Sequence, residues 1–450
     1  MSWIEQHFSV FGSRVAAYEG ERCWQYDDLL IEIQSLKEVF GAQISSAAAC
    51  LAIEEASVVR TLAAIIAVLD LRQIALPIST ALPESERLKQ KQIAGASWTF
   101  RSGALSQVEP TNAVPARLLD ELTQRAHAGL VIFSSGTSGE PKGMLHDLDE
   151  LLQRYKRVKP RNDRTIQLLM PDHIGGLDAA FRTLLSGSTI IVPSERSPDA
   201  VAQAVEKHAA TVLPATPTFL NLLQLSGVSK TYDFSSLEIV AYGAEPMPKP
   251  LLLSLSELLP KVDFQQKFGT SETGPVRIKD RGDQSLSFVI SDADIESKIV
   301  DSELWLRTPS RILGYLNAEE SSLKSDGWYR TGDLVESEAD GSIRIVGKAT
   351  QMINVGGQKV HPAEVEAVVG ELESVLFCRV TGEVDPILGE RIVCSLVLGE
   401  NSSDIRTWKR RVRSHCRGRL ADWKIPTVLY LDDKIWINAR LKYTRTHREI

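Results

Sequence analysis

Cysteine is scarce, with five in 450 residues, at Cys23, Cys50, Cys378, Cys394 and Cys416. An odd number with no Cys-x-x-Cys pair excludes a disulfide framework and a thiolate zinc site, and predicts free thiols in a reducing cytosol. Long apolar runs are also missing. The longest, 62–69, is stopped by Asp70, far short of the roughly 20 residues a membrane-crossing helix requires. The opening residues, Met1 to His7, carry neither a basic region nor an apolar run, so no export signal is predicted and the expected location is cytoplasmic. Positive charge is not in excess: 51 Lys and Arg against 58 Asp and Glu leave a net −7, which argues against nucleic acid as the main partner. Internal repeats and low-complexity tracts are absent. A chain of this length is expected to fold as two or three soluble domains with a large core.

What is present begins with Phe133-Ser-Ser-Gly-Thr-Ser-Gly-Glu-Pro-Lys-Gly143, directly after the apolar run Leu130, Val131, Ile132. Glycines let backbone N–H groups converge on an anion, the hydroxyls of Ser134, Ser135, Thr137 and Ser138 donate, and Lys142 adds a point charge. The pattern reads as a phosphate cradle after a buried strand. It lacks the spacing of a Walker loop, and taken alone it reads equally well as a turn.

Strand-like and helix-like segments alternate up to about residue 345, which predicts an α/β body with largely parallel sheets. Examples are a strand over Thr189–Val192, a helix over 199–208 and a strand over 211–213. Asp147 followed by Glu150 predicts a helix start soon after the phosphate loop. Past Gly347 the pattern becomes α+β: a helix over 362–369, strands over 374–380 and 391–398, and a helix over 403–420. That last helix places Trp408, Val412, Cys416 and Leu420 on one face. The expected division is an N-terminal body, 1–346, and a C-terminal cap, 347–450.

Three more segments place glycine, hydroxyl and one carboxylate after a strand: Gly243-Ala244-Glu245, Phe268-Gly-Thr-Ser-Glu-Thr-Gly274, and Tyr329-Arg-Thr-Gly-Asp333. Any one of them could be a turn closed by an acid. In open α/β sheets, however, such loops meet in one crevice beyond the carboxyl ends of the strands.

In this order the segments resemble the adenylate-forming superfamily: acyl- and aryl-CoA synthetases, peptide-synthetase adenylation domains and firefly luciferase. The likeness covers nearly the whole chain. It implies ATP and Mg²⁺ as ligands. Ser134, Ser135, Gly136, Thr137, Ser138, Gly139 and Lys142 would embrace the β/γ-phosphates. Gly243, Ala244 and Glu245 would border the adenine with Phe268 near it, within the loop that continues through Gly269 and Thr270. Ser271 would contact the α-phosphate, Glu272 would bind Mg²⁺, and Asp333 with Lys348 would hold the ribose. Lys442 would bridge the substrate carboxylate and the α-phosphate. His173 matches the gate of the acyl pocket, whose other walls would include Gly176, Asp178, Tyr242, Gly243 and Gly274. Gly175 and Gly176 are expected to leave room. Asp178 either points inward, favouring an amino or hydroxyl substituent on the acid, or faces solvent or caps its helix.

The implied reaction makes an acyl-AMP and passes the acyl group to a thiol, that of CoA or of the phosphopantetheine arm of a carrier protein. A small to medium, aromatic or substituted acid is the expected substrate, and a monomer or homodimer the expected assembly. No carrier domain is expected to be fused. The alternatives are an amide synthetase with an amine acceptor and a nucleotide-binding protein without turnover. Three positions depart from the family pattern: Thr350 stands at the hinge in place of Asp or Lys, Lys348 replaces Arg, and Leu441 replaces the glycine before Lys442. Gly356 and Gly357 would wall the thiol tunnel. The basic helix face, Lys409 to Arg419, would meet CoA phosphates or an acidic carrier, or is simply solvated.

Overall fold

The computed structural model describes residues 2–135, 140–282, 285–318, 322–399, 404–435, 437–438 and 440–443. Two seven-stranded sheets form the body. The first runs in the order Asp263–Gln266, Ile239–Tyr242, Val212–Ala215, Arg164–Ile166, Thr189–Val192, Val15–Glu19, Arg22–Gln25, parallel throughout except for the last strand. In the second, Gly129–Ser135, Ile74–Pro77, Cys50–Glu54 and Trp98–Arg101 are parallel, and antiparallel strands finish both edges. This is the α/β class that the alternation predicts. A third, six-stranded sheet, including Glu303–Arg307, Tyr329–Ser337 and Ile343–Lys348, is wholly antiparallel.

The apolar run 62–69 lies within the helix Val58–Asp70, in which every position from Val58 to Leu69 except Arg60 is buried. It touches Cys50–Glu54 and Ile74–Pro77 of the second sheet and Val15–Glu19 of the first, so both sheets share it. A helix apolar on all sides belongs between layers, and each large side chain so covered contributes about 1.5–3 kcal/mol. Among the described residues no helix is long and apolar enough to cross a membrane.

Local signals placed several elements. Asp147 accepts from the Glu150 N–H at 3.1 Å and starts the helix Leu148–Gln153. Ser197 caps Pro198–His208 in the same way. The helix starts after the phosphate-loop sequence as expected, with a strand in between: Pro141–Asp147 returns antiparallel to Gly129–Ser135, pairing Lys142 with Ser134. The Asn317 side chain clamps the returning strand, accepting from Gly143 N–H at 2.9 Å and donating to the Pro141 carbonyl at 3.0 Å.

After Ile343–Lys348 the chain leaves the antiparallel sheet through the turn Ala349–Gln351 and enters a separate sheet. That sheet holds Ile353–Val355, Gln358–Val360, Val375–Asp385, Gly389–Leu398 and Val428–Asp432. The helix Ile405–Cys416 buries Trp408, Val412 and Cys416 against it. It ends before Leu420, with Gly418 at φ +76° just beyond.

Gly176 supplies no room in a pocket. A Cβ there would lie 1.9 Å from the Met170 carbonyl oxygen, so the helix Ile174–Leu185 approaches the preceding loop as closely as only glycine permits. Gly176→Ala is expected to cost at least about 2 kcal/mol through overpacking. Denaturant titration should show the loss directly, and an unchanged stability would contradict this packing.

His146, wholly buried on Pro141–Asp147, lies against the backbone of Ser271 and Ser310 with no hydrogen bond on either ring nitrogen. Burial pushes its pKa down to about 4. Between pH 6.5 and 4 the unfolded chain therefore binds a proton that the folded chain refuses, and stability falls as pH falls. Wild type is expected to lose about 3 kcal/mol more than His146→Leu between pH 7 and pH 4. Parallel pH profiles of unfolding for the two proteins would refute this.

Candidate functional site

The strands Val212–Ala215, Ile239–Tyr242 and Asp263–Gln266 end side by side, and the loops beyond them form one wall of a cleft. Thr216 and Pro217 follow the first strand. Thr216 caps the helix Pro217–Ser226, accepting from the Phe219 N–H at 3.1 Å. Gly243 follows the second, where a Cβ would stand 2.7 Å from the Lys267 carbonyl oxygen, so only glycine fits. Glu245 turns back toward the helix, and its carboxylate accepts from the Thr218 N–H at 3.3 Å. Beyond the third strand, Phe268–Thr270 and Gly274–Val276 form a small hairpin. The Thr270 hydroxyl accepts from the N–H groups of Glu272 (3.2 Å) and Thr273 (3.0 Å), which fixes the tip that presents Ser271 and Glu272. The Tyr315 hydroxyl donates to Glu272 Oε1 at 3.1 Å. A carboxylate steadied in this way among hydroxyl groups is a hard oxygen donor of the kind Mg²⁺ accepts.

The second wall comes from the antiparallel sheet. Asp333 and Lys348 are cross-strand partners, with Nζ 2.9 Å from the carboxylate. Lys348 also donates to the Thr331 carbonyl at 3.1 Å. Burial raises the Asp333 pKa, and Lys348 opposes that shift.

The segment carrying Lys442 closes the cleft. The turn at Arg440–Lys442 is held by Asn438, whose side chain accepts from the N–H groups of Arg440 (2.9 Å) and Lys442 (3.1 Å). Leu441 adopts φ +55°, the left-handed conformation that costs a non-glycine residue about 1–2 kcal/mol. This explains the value of glycine at that position. Three bonds tie the turn to the body: Arg440 Nη2 to the Phe133 carbonyl (2.8 Å), the Thr216 hydroxyl to the Leu441 carbonyl (2.6 Å), and Tyr443 N–H to Glu245 Oε1 (2.7 Å). Tyr443 stacks on Phe377 at 6.0 Å, and Asn221 donates to the Leu376 carbonyl at 3.1 Å.

Lys442 is thereby partly withdrawn from solvent. Burial is the main cause that lowers its pKa; Glu245 opposes the shift, and Arg440 and Lys348 add to it. His173, at the start of the helix Ile174–Leu185, faces the same cations. Burial first, then Arg440, Lys442 and Arg196, hold its pKa well below the ordinary value, so its imidazole is neutral. Asp172, opposite Arg440, has its pKa raised by burial.

The structure thus brings Lys442, Glu245, His173 and Lys348 together, with Asp333 on Lys348 and the base of the phosphate loop on Arg440. Gly136, Thr137, Ser138 and Gly139, and the Ser135 side chain, lie outside the described residues. Phe268 packs on Phe288 at 5.4 Å, and Tyr242 is buried with Met247 and Leu252 beneath the first sheet. A Cβ on Gly274 would meet Leu151 at 3.1 Å. Asp178 neither caps its helix nor stands free in solvent: it accepts from the Tyr155 hydroxyl at 2.6 Å and pairs with Arg182 at 3.4 Å. Thr350 is exposed in the turn between the two sheets. Gly356 and Gly357 form a turn on the last sheet, with open space where a Gly357 side chain would stand. Arg411 of the basic helix stacks on Trp408, and Arg419, just beyond its end, pairs with Glu371, so part of that basic stretch is engaged internally. The sequence reading missed Arg440, Tyr315, Asn317 and Thr216. Of these only Thr216-Pro217, an N-cap followed by proline after a strand, carried a readable signal.

The family model described as "AMP-binding enzyme" matches residues 6–316, and that for the "AMP-binding enzyme C-terminal domain" matches 364–439. A probable CoA ligase of Humulus lupulus is 32% identical over 295 residues, 59% of this chain and 53% of the relative. The peroxisomal OPC-8:0-CoA ligase 1 of Arabidopsis thaliana is 34% identical over 53% of this chain and 49% of its own. The chain thus spans about half the length of these plant relatives. The 2-succinylbenzoate–CoA ligase of Bacillus subtilis is 25% identical over 82% of this chain and 81% of its own. In fold, the chain is similar to an anthranilate CoA ligase solved with anthranoyl-AMP, with a TM-score of 0.83, 19% identity, and 98% and 94% coverage. It is similar also to an amide bond synthetase of Marinactinospora thermotolerans, with a TM-score of 0.80, 20% identity, and 97% and 96% coverage. With more than half of its length matched by the family model and its motifs gathered around one cleft, the chain belongs to the AMP-binding, adenylate-forming enzyme family.

Proposed function

We propose that this protein joins a small to medium carboxylic acid to the α-phosphate of ATP, releasing pyrophosphate, and then passes the acyl group to a thiol. The observation that carries the reading is the docked Lys442 turn, which sets a half-buried ammonium in the same cleft as Asp333–Lys348 and Glu272. Bringing a carboxylate to a triphosphate opposes two anions, so the reaction needs fixed positive charge and positioning more than a general base. Lys442 bridges the attacking carboxylate and the α-phosphate, so that a carboxylate oxygen forms the new bond to phosphorus as pyrophosphate leaves. Asp333 holds the ribose hydroxyls, oriented by Lys348. Ser134 and Lys142, paired across the hairpin, face the phosphates. Glu272 is the side chain that would hold Mg²⁺, which neutralises phosphate charge when bound. His173 stays neutral and shapes the entrance for the acid.

The second step, attack of the thiol on the acyl-adenylate with AMP leaving, requires the body and the cap, divided at the turn Ala349–Gln351, to change their relation. Thr350 is the pivot and Gly356-Gly357 walls the tunnel for CoA or a phosphopantetheine arm. The CoA ligases among the relatives support a thiol acceptor. Gly176, filled by Met170, and the buried Tyr242 favour a compact acid. Five unpaired cysteines suit a cytoplasmic enzyme.

ATP–pyrophosphate exchange with a broad acid library tests the reading. Exchange with a compact acid is expected; activity confined to long unsubstituted fatty acids would overturn the substrate class, and no exchange with any acid would overturn the reaction. Supplying CoA, a carrier protein or an amine then identifies the acceptor. Lys442→Ala should lower exchange at least 100-fold while a pre-made acyl-adenylate still reacts with thiol. Gly357→Trp should slow only that second reaction. Equal loss of both steps in both variants would contradict the two-arrangement cycle.

A further inference from the structure

Lys442 is carried on a turn that its own sequence does not favour, because Leu441 occupies a backbone region that opposes L side chains. Its placement therefore depends on what the body offers, and the body offers the start of one helix. Thr216, the cap of Pro217–Ser226, donates its hydroxyl to the Leu441 carbonyl at 2.6 Å. Glu245 lies beside it, one carboxylate oxygen accepting from the Thr218 N–H (3.3 Å) and the other from the Tyr443 N–H (2.7 Å). The helix terminus favours the ionised carboxylate, and the bond to Thr218 aims the second oxygen at the tail. Of these ties, the one to Glu245 spans 198 residues and grips the residue next to Lys442. Both carboxylate oxygens are thus engaged by main-chain donors, which gives Glu245 a role other than bordering the adenine.

We infer that Glu245 is a positioning residue: its carboxylate, oriented by the Thr218 N–H, pins the Tyr443 N–H and so sets Lys442 for the adenylation step. This rests on the reaction proposed above. Glu245 serves only the arrangement in which the tail is docked, so losing it should affect the first half-reaction and spare the second.

The test uses the full chain with Glu245→Ala and Glu245→Gln. The first readout needs no turnover: amide hydrogen exchange at Tyr443 should quicken at least tenfold in Glu245→Ala, while exchange in the strand Ile239–Tyr242 stays unchanged. The second is kinetic. With the acid found by screening, pyrophosphate exchange should fall at least tenfold, and thioester formation from pre-made acyl-adenylate should change less than threefold. Glu245→Gln keeps the side chain's size and one acceptor oxygen, and should lie between wild type and Glu245→Ala in both readouts. It also carries the test if the alanine variant does not fold. Unchanged Tyr443 exchange, or equal loss of both half-reactions, would overturn the inference. Wild type that shows no pyrophosphate exchange with any acid would remove the proposed reaction alone, and hydrogen exchange would still decide the anchor.

Discussion

A positive charge partly withdrawn from water has to be met by a negative one, and the cleft is organised around that requirement. Lys442, Arg440 and Lys348 converge there. Asp172, Asp333 and Glu245 supply the protein's own counter-charges, each itself shifted toward neutrality by burial. Removing two ions from water costs several kcal/mol per ion unless geometry and hydrogen bonds offset it. At Lys442, burial together with Arg440 and Lys348 outweighs Glu245 and lowers the pKa of the ammonium. A ligand bearing several negative charges completes what the side chains leave unfinished, and a triphosphate beside a carboxylate is such a ligand.

Holding that charge in place is a task for the main chain. The tail reaches the body through carbonyl and N–H groups of Phe133, Leu441 and Tyr443, partnered by Arg440, Thr216 and Glu245. Contacts of this type fix a segment without demanding much of its sequence, which is why a leucine can stand where glycine is easier.

What the sequence made legible was local chemistry. The helix start at Asp147 could be read because a capping residue lies within three positions of the N–H it serves. The strand Ile239–Tyr242 and the helix Pro362–Val369 were legible from their own patterns. The loops that meet at the cleft were visible as glycine, hydroxyl and carboxylate in short order. Long-range partners were not legible. The hairpin form of the phosphate loop depends on Asn317, 174 and 176 positions from the atoms it clamps. Gly176 looked like open space because nothing nearby in sequence announces that Met170 fills it. Asp178 looked ambiguous because its partner, Tyr155, lies 23 residues away. In each case tertiary packing, to which composition and periodicity are blind, chose the outcome.

The helix Val58–Asp70 has a mechanical meaning. Since it packs mainly on the second seven-stranded sheet and also reaches the first, neither sheet can shear past the other without stripping apolar side chains bare. The loops beyond Val212–Ala215, Ile239–Tyr242 and Asp263–Gln266 are thereby carried on one braced support.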